Sequence, residues 1–181
     1  MAHDNLTDKN RDAPEAERAV LTALDGLGLA YRLVAHAPAM TMDDLADIDR
    51  QIGVSHAKNL FLCNRQQTSF YLLLLPGDKN FRTSVLSRQL GIARLSFAGP
   101  GPLESLLGTP PGAVSPLGLL FDRRHQVRLL IDRDLAGQES FCFHPCSNTT
   151  SLVMASRDFL GPFLRLTGHA PTWIDLGGAS D

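Results

Sequence analysis

Residues 58–75 read "KNLFLCNRQQTSFYLLLL". Two apolar runs, KNLFLCN and SFYLLLL, flank a polar RQQTS, and each has the length of a strand rather than a helix. The pair reads as a β-hairpin with RQQTS as its connection. Along the first strand Lys58, Leu60 and Leu62 point one way, while Asn59, Phe61 and Cys63 point the other.

Upstream, "DAPEAERAVLTALDGLGL" (12–29) carries one apolar stripe of Ala16, Ala19, Val20, Ala23, Leu24 and Leu27, which predicts a helix. Asp12 and Glu15 make a capping-box pattern, and Gly28 suits the stop. "AYRLVAH" (30–36) alternates as a strand, and "TMDDLADIDRQIG" (41–53) reads as a helix capped by Thr41. Downstream, "PGDKNFRTSVLSRQLG" (76–91) is a turn and then a helix ending near Gly91. "ARLSFA" (93–98) reads as a strand and "GPLESLLG" (101–108) as a short helix. Further strands are predicted in "LGLLFD" (117–122), "QVRLLID" (126–132), "SFCFHP" (140–145), "SLVMA" (151–155) and "PTWIDL" (171–176). Ser156 is placed to cap a helix through "RDFLGPFLRLTG" (157–168), which Gly161-Pro162 should kink or delay. Strands and helices alternate irregularly, with neighbouring strands close enough to pair antiparallel. The pattern predicts an α/β (α+β-like) fold, a mixed and mostly antiparallel sheet surrounded by helices.

The chain has 181 residues, 44% apolar and 20% charged, which favours one domain with a sizeable core. We expect that domain over residues 13–178, behind a loose polar tail over 1–12. The tail lacks a signal peptide's apolar core, and no run reaches the ~18–20 apolar residues of a membrane helix. A cytoplasmic protein without a membrane is the expectation. The net charge of −2 argues against a general polyanion binder and against duplex DNA as a partner.

Chemistry has three candidate seats, and no Walker loop, GxGxxG, HExxH or GxSxG accompanies them. The first is Lys58, which heads an apolar strand; it is either a solvated strand end or an ammonium fixed at a cavity rim. The second is "FCFHPCSNTT" (141–150). There His144 either satisfies a loop carbonyl or hydrogen-bonds at the mouth of a site, with Asn148 and Thr149 nearby. The third is "GTPPGAVSPLGLLFD" (108–122). Its prolines restrict a chain whose Gly112 and Ala113 can offer bare backbone N–H groups, unless the segment is an ordinary surface turn. Cys142, His144 and Cys146 also invite a test as metal ligands, with His56 or His125 to complete the set. Pro145 breaks their extended geometry, so we read free thiols, buried or half-buried, and no metal.

In order and spacing, "HAKNLFL", "PPGAVSPLGL" and "FHPCSNTT" resemble the YbaK-like aminoacyl-tRNA editing family, which is related to the editing insertion of bacterial prolyl-tRNA synthetases. Within it the chain is most similar to the free-standing alanyl-tRNA(Pro) deacylases, from about residue 15 to residue 176. The resemblance implies a single domain with a partly barrel-like sheet and a hydrolase that removes alanine misattached to tRNA(Pro). It also implies no cofactor, with the terminal adenosine's 2′-hydroxyl assisting water attack. The family's KN lysine falls on Lys58, followed by Asn59, and its GxxxP loop on Gly112, Ala113, Val114, Ser115 and Pro116. Its FHP histidine falls on His144. Lys58 would then fix the tRNA end through a phosphate, hydroxyl or carbonyl. The amides of Gly112 and Ala113 would hold the carbonyl, and His144 would shape the pocket rather than act as general base.

The chain departs from the family pattern at three places. Cys63-Asn64 follows the strand where polar or basic residues are common; Ser151 ends the NTxT-like Asn148-Thr149-Thr150-Ser151; and Phe121 replaces an asparagine before Asp122. For the tRNA(Pro) acceptor end, Arg123, Arg124 and Arg128 form a candidate basic patch, with Arg82 and Arg88 a second. Prolyl-tRNA synthetase and elongation factor are the partners the resemblance brings in. Competing readings are a deacylase for cysteinyl-, seryl- or threonyl-tRNA, and a non-catalytic tRNA- or synthetase-binding module. Retention of Lys58, Gly112 and Pro116 speaks against the latter.

Overall fold

In a computed structural model of the chain, the structure describes residues 13–39 and 42–177, the side chain of Met42 excepted. The tail expected over 1–12 and the caps expected at Asp12 and Thr41 lie outside the described residues.

The hairpin over 58–75 forms as expected. Strand β2 (Lys58–Cys63) pairs antiparallel with β3 (Phe70–Leu75), Lys58 opposite Leu75 and Cys63 opposite Phe70. Asn64 closes the connection, its Oδ1 accepting the N–H groups of Thr68 and Ser69 at 2.8 and 3.1 Å. Every residue of β3 is buried. Phe70, Leu72 and Leu74 enter one hydrophobic cluster while Tyr71, Leu73 and Leu75 enter another, so this strand is the wall between two cores.

Around it the chain builds two sheets. Strand β4 (Ser96–Phe97) flanks β2 antiparallel, while β5 (Val127–Asp132) and β8 (Thr172–Ile174) extend the sheet in parallel beyond β3. The second sheet is antiparallel, with β7 (Thr150–Ala155) between β1 (Tyr31–Ala35) and β6 (Ser140–Phe143). A parallel bridge between His56 and Cys142 joins the two sheets. The mixed, mostly antiparallel sheet expectation holds, and the barrel-like character is this partial seam rather than a closed ring.

Helix α1 (Glu15–Gly26) buries Val20, Leu21 and Leu24 in the larger core. It starts from Pro14 without a side-chain cap, and Gly28 follows it at φ +66°. Helix α2 is Met42–Ile52, and α3 (Thr83–Leu90) stops at Gly91 in the left-handed region. Helix α4 (Pro100–Leu107) follows with proline in its first turn, where its missing N–H costs nothing.

Two local expectations are corrected. "LGLLFD" is not a strand: Pro116–Leu120 winds into a 3-10 helix, started by Ser115, whose Oγ accepts the Leu117 N–H at 3.1 Å. Its apolar residues are buried all round, a state that alternation alone reads as a strand. Ser156 does not cap the last helix, because Ala155 occupies that position and the Ser156 Oγ is buried without a partner. From there α5 (Ser156–Asp158) widens to a π turn over Phe159–Phe163, which absorbs Pro162, and continues as α6 (Leu164–Thr167).

Within the 3-10 helix, Gly118 lies against α4 so closely that a Cβ there would sit 2.5 Å from the Leu107 carbonyl oxygen. Gly118→Ala should destabilise the fold by about 1–3 kcal/mol, as overpacking against backbone does. A denaturant midpoint equal to wild type would show that α4 shifts freely, contrary to this packing.

Candidate active site

The loop over 108–115 explains its composition. Ala113 N–H donates to the Pro110 carbonyl at 3.1 Å, and Gly112 sits at φ +84°. Proline at the second position of a turn and glycine at the third is the sequence of a type II turn, where glycine alone enters positive φ without strain. Pro116 and the Ser115 cap then lock the far end. Between the locks, the N–H groups of Gly112 and Val114 have no hydrogen-bond partner among the described residues.

That loop faces a cavity of about 280 Å³ at the seam of the two sheets. The start of β2 contributes His56, Ala57, Lys58, Asn59 and Leu60; Ala39, Leu45, Gly112, Val114 and His144 complete the wall. The volume lies just below the ~300–1,000 Å³ of pockets that enclose drug-sized ligands, so it suits a small ligand.

Lys58 stands at the rim, half-buried, its Nζ donating to the Lys79 carbonyl at 2.9 Å. That carbonyl is itself anchored, since Lys79 Nζ lies 2.8 Å from Asp132 and 2.7 Å from Asp134. Burial alone would lower the Lys79 pKa; the hydrogen bonds and charges of the two aspartates outweigh it and raise the value. Asn59 donates through Nδ2 to the Ala57 carbonyl at 3.2 Å and leaves Oδ1 buried without a partner among the described residues. An acceptor in that state fits a ligand's ammonium or hydroxyl.

His144 meets both readings of the sequence. Its Nδ1 donates to the Thr150 carbonyl at 3.0 Å, and its ring lines the cavity. Burial lowers its pKa to about 4; the Thr150 carbonyl opposes this, and His56 and His36 add to it. The ring is therefore neutral at pH 7, and with the proton on Nδ1 its Nε2 is an acceptor.

The sign of the linkage follows. The unfolded chain takes up a proton near pH 6.5 that the folded His144 refuses until about 4. This residue's contribution is full above pH 6.5 and falls on the order of 3 kcal/mol as pH drops through that window. Urea titrations should show wild type losing more stability between pH 7 and pH 4.5 than His144→Gln. Equal losses would contradict a buried neutral histidine.

The structure brings Lys58, Asn59, Gly112, Val114 and His144 to one cavity and leaves the other expected residues elsewhere. Ala113 is buried and its amide is already engaged in the turn, unlike the amides of Gly112 and Val114 on either side. Ser115 and Pro116 support the 3-10 helix, while the Asn148 and Thr149 carbonyls accept the Ala39 and His36 N–H groups at 3.0 and 2.9 Å. Arg128 lies on β5 opposite Tyr71, four residues from the level of Asp132 and about 13 Å along the strand. Arg123 borders a different cavity, with Asp122 and His125, and Arg124 is exposed. Cys63, Cys142 and Cys146 are free and buried.

One part of the wall had no sequence signal. His56 is held by Asp49 through Nδ1, its Nε2 lies 2.8 Å from Ser151 Oγ, and Ser151 lies 2.8 Å from His36 Nε2. Cys142 Sγ is 3.2 Å from the same His56 nitrogen. These groups come from α2, the residue after β1, the segment before β2, β6 and β7, and meet only because the sheets join there.

Comparison with known proteins fits this geometry. A family model described as the aminoacyl-tRNA editing domain matches residues 36–161. A prolyl-tRNA editing protein ProX of Acetoanaerobium sticklandii is 32% identical over 162 residues, covering 90% of this chain and 98% of that one. A bovine (Bos taurus) prolyl-tRNA synthetase associated domain-containing protein 1 is 27% identical, over 90% of this chain and 96% of that one. A solved structure described as a candidate trans-editing enzyme for prolyl tRNA synthetase superposes with a TM-score of 0.66 at 21% identity, over 91% of this chain and 99% of that one. By the family match and the ProX likeness together, the chain belongs to the aminoacyl-tRNA editing domain family.

Proposed function

We propose that the protein is a trans-editing deacylase that hydrolyses the ester of alanine misattached to tRNA(Pro), acting in the cytoplasm on the free acceptor end. The observation that carries this is the small cavity in which Lys58, Asn59, Gly112, Val114 and His144 converge. An aminoacyl ester is already activated, so water and well-placed dipoles suffice.

In the reaction, water adds to the ester carbonyl and the bond to the ribose oxygen breaks. That oxygen leaves as a hydroxyl carrying a proton from the water, and alanine is released. The Gly112 and Val114 amides receive the developing oxyanion, worth ~3–4 kcal/mol per donor in favourable sites. Lys58 holds the nucleotide end, and Asn59 Oδ1 and His144 Nε2 accept hydrogen bonds from the amino group or the ribose hydroxyl. A base with a pKa near 4 is too weak to drive the water at pH 7, so His144 positions. Synthetase pockets discriminate poorly against a smaller side chain, with one methylene worth ~1–3 kcal/mol, and a second sieve restores fidelity. A prolyl-tRNA synthetase or an elongation factor is the partner such a sieve works beside.

The test is hydrolysis of tRNA(Pro) charged in turn with alanine, serine, cysteine and threonine. Alanine should be cleared fastest. Faster clearance of one of the others would assign the cavity to that side chain. Clearance of none above the spontaneous rate would leave a binding module.

A further inference from the structure

Phe97 is 62% exposed, the most exposed large apolar side chain among the described residues. It lies on β4 opposite Leu62, on the face of β2 that carries Lys58 and Leu60, and about 13 Å along the strand from Lys58. Its ring meets Phe81 edge to face, with centroids 6.5 Å apart. Phe81 sits two residues beyond the carbonyl that holds the Lys58 ammonium, so the aromatic pair adjoins the rim of the cavity. An isolated exposed apolar residue needs no explanation. This one stands in an unusual field.

The segment 79–103, which carries both rings, contains Lys79, Arg82, Arg88 and Arg94 and no Asp or Glu. Lys79 is paired with Asp132 and Asp134. Arg82, Arg88 and Arg94 are exposed and form no ion pair among the described residues. An exposed aromatic ring on a segment with unpaired arginines is a combination that binds single-stranded nucleic acid, through base stacking and phosphate contacts.

We propose that Phe97, backed by Phe81 and carried on the same segment as the unpaired Arg82, Arg88 and Arg94, is a stacking platform for the unpaired nucleotides next to the aminoacylated end of the tRNA. The proposal rests on the editing reading for its choice of RNA. It places the strand's approach over the β4 edge of the sheet; Arg128 lies at the same level, three strands across on β5.

Binding of uncharged tRNA(Pro) and of a single-stranded RNA ending in CCA tests it without any catalysis. Phe97→Ala should weaken both by about 5- to 100-fold. Phe97→Trp should retain affinity and show indole fluorescence quenched on addition of either RNA. Phe97→Leu should remain weak, because leucine restores apolar area but not a π face. Affinity restored by leucine, or unchanged in Phe97→Ala, would overturn the platform. Replacing Arg82, Arg88 and Arg94 with glutamine should flatten the salt dependence, by roughly 0.7 in slope for each phosphate that is no longer neutralised. An unchanged slope would overturn the charge argument. Phe97-dependent RNA binding in a protein that clears no aminoacyl-tRNA would sink the deacylase reading and leave the platform standing.

Discussion

Lys58→Ala should lower the rate of alanyl-tRNA(Pro) hydrolysis by about 10²-fold, the scale of misplacing a bound substrate by about an ångström. The side chain is poised for this role by its surroundings. Its Nζ meets the Lys79 carbonyl at 2.9 Å while the rest of the residue lines the cavity rim. Stability should fall by only about 1–2 kcal/mol, the scale of one charge-assisted hydrogen bond at a half-buried site. Lys58→Arg should restore little, because a planar guanidinium cannot replace a compact ammonium at one carbonyl. Single-turnover deacylation beside a urea titration separates the effects. A rate loss matched by unfolding would make Lys58 structural.

Lys79→Met should destabilise the protein by about 3–5 kcal/mol, the scale of breaking a buried ion pair from one side. Asp132 is fully buried, and its Oδ1 also accepts the Asp134 N–H at 2.9 Å. Without Lys79 that carboxylate is left in the interior unpaired. Activity should fall as well, because the loop that presents the Lys79 carbonyl to Lys58 loses its anchor. Adding Asp132→Asn should recover much of the stability in a double-mutant cycle. The raised Lys79 pKa gives the pH sign: its stabilisation is complete below the ordinary value of 10.5 and is lost as pH rises through the folded value. A Lys79→Met variant as stable as wild type would show that the pair contributes nothing net.

Much of this was legible where local pattern decides the outcome. The hairpin over 58–75 followed from two apolar runs around a polar turn, and α3 from a stripe ending at Gly91. The Pro-Pro-Gly loop announced a rigid turn because proline and glycine each constrain the backbone by themselves. What failed to show depends on distant parts of the chain. The 3-10 helix at 116–120 looks like a strand because burial on every side erases periodicity. The engaged Ala113 amide and the free ones beside it are a matter of which carbonyl closes the turn. The Asp49–His56–Ser151–His36 wall joins residues 95 and 115 apart in sequence. Where Arg128 of the candidate basic patch lies, near the start of β5 and four residues before Asp132, only strand register shows.

The most direct test of the account is the initial rate of deacylation of one tRNA(Pro) charged with alanine or with proline. The proposed editing reaction predicts that alanine is removed far above its spontaneous rate while proline is spared. Equal removal of both would mean that the cavity does not sieve by size, and removal of neither that it does not hydrolyse the ester at all.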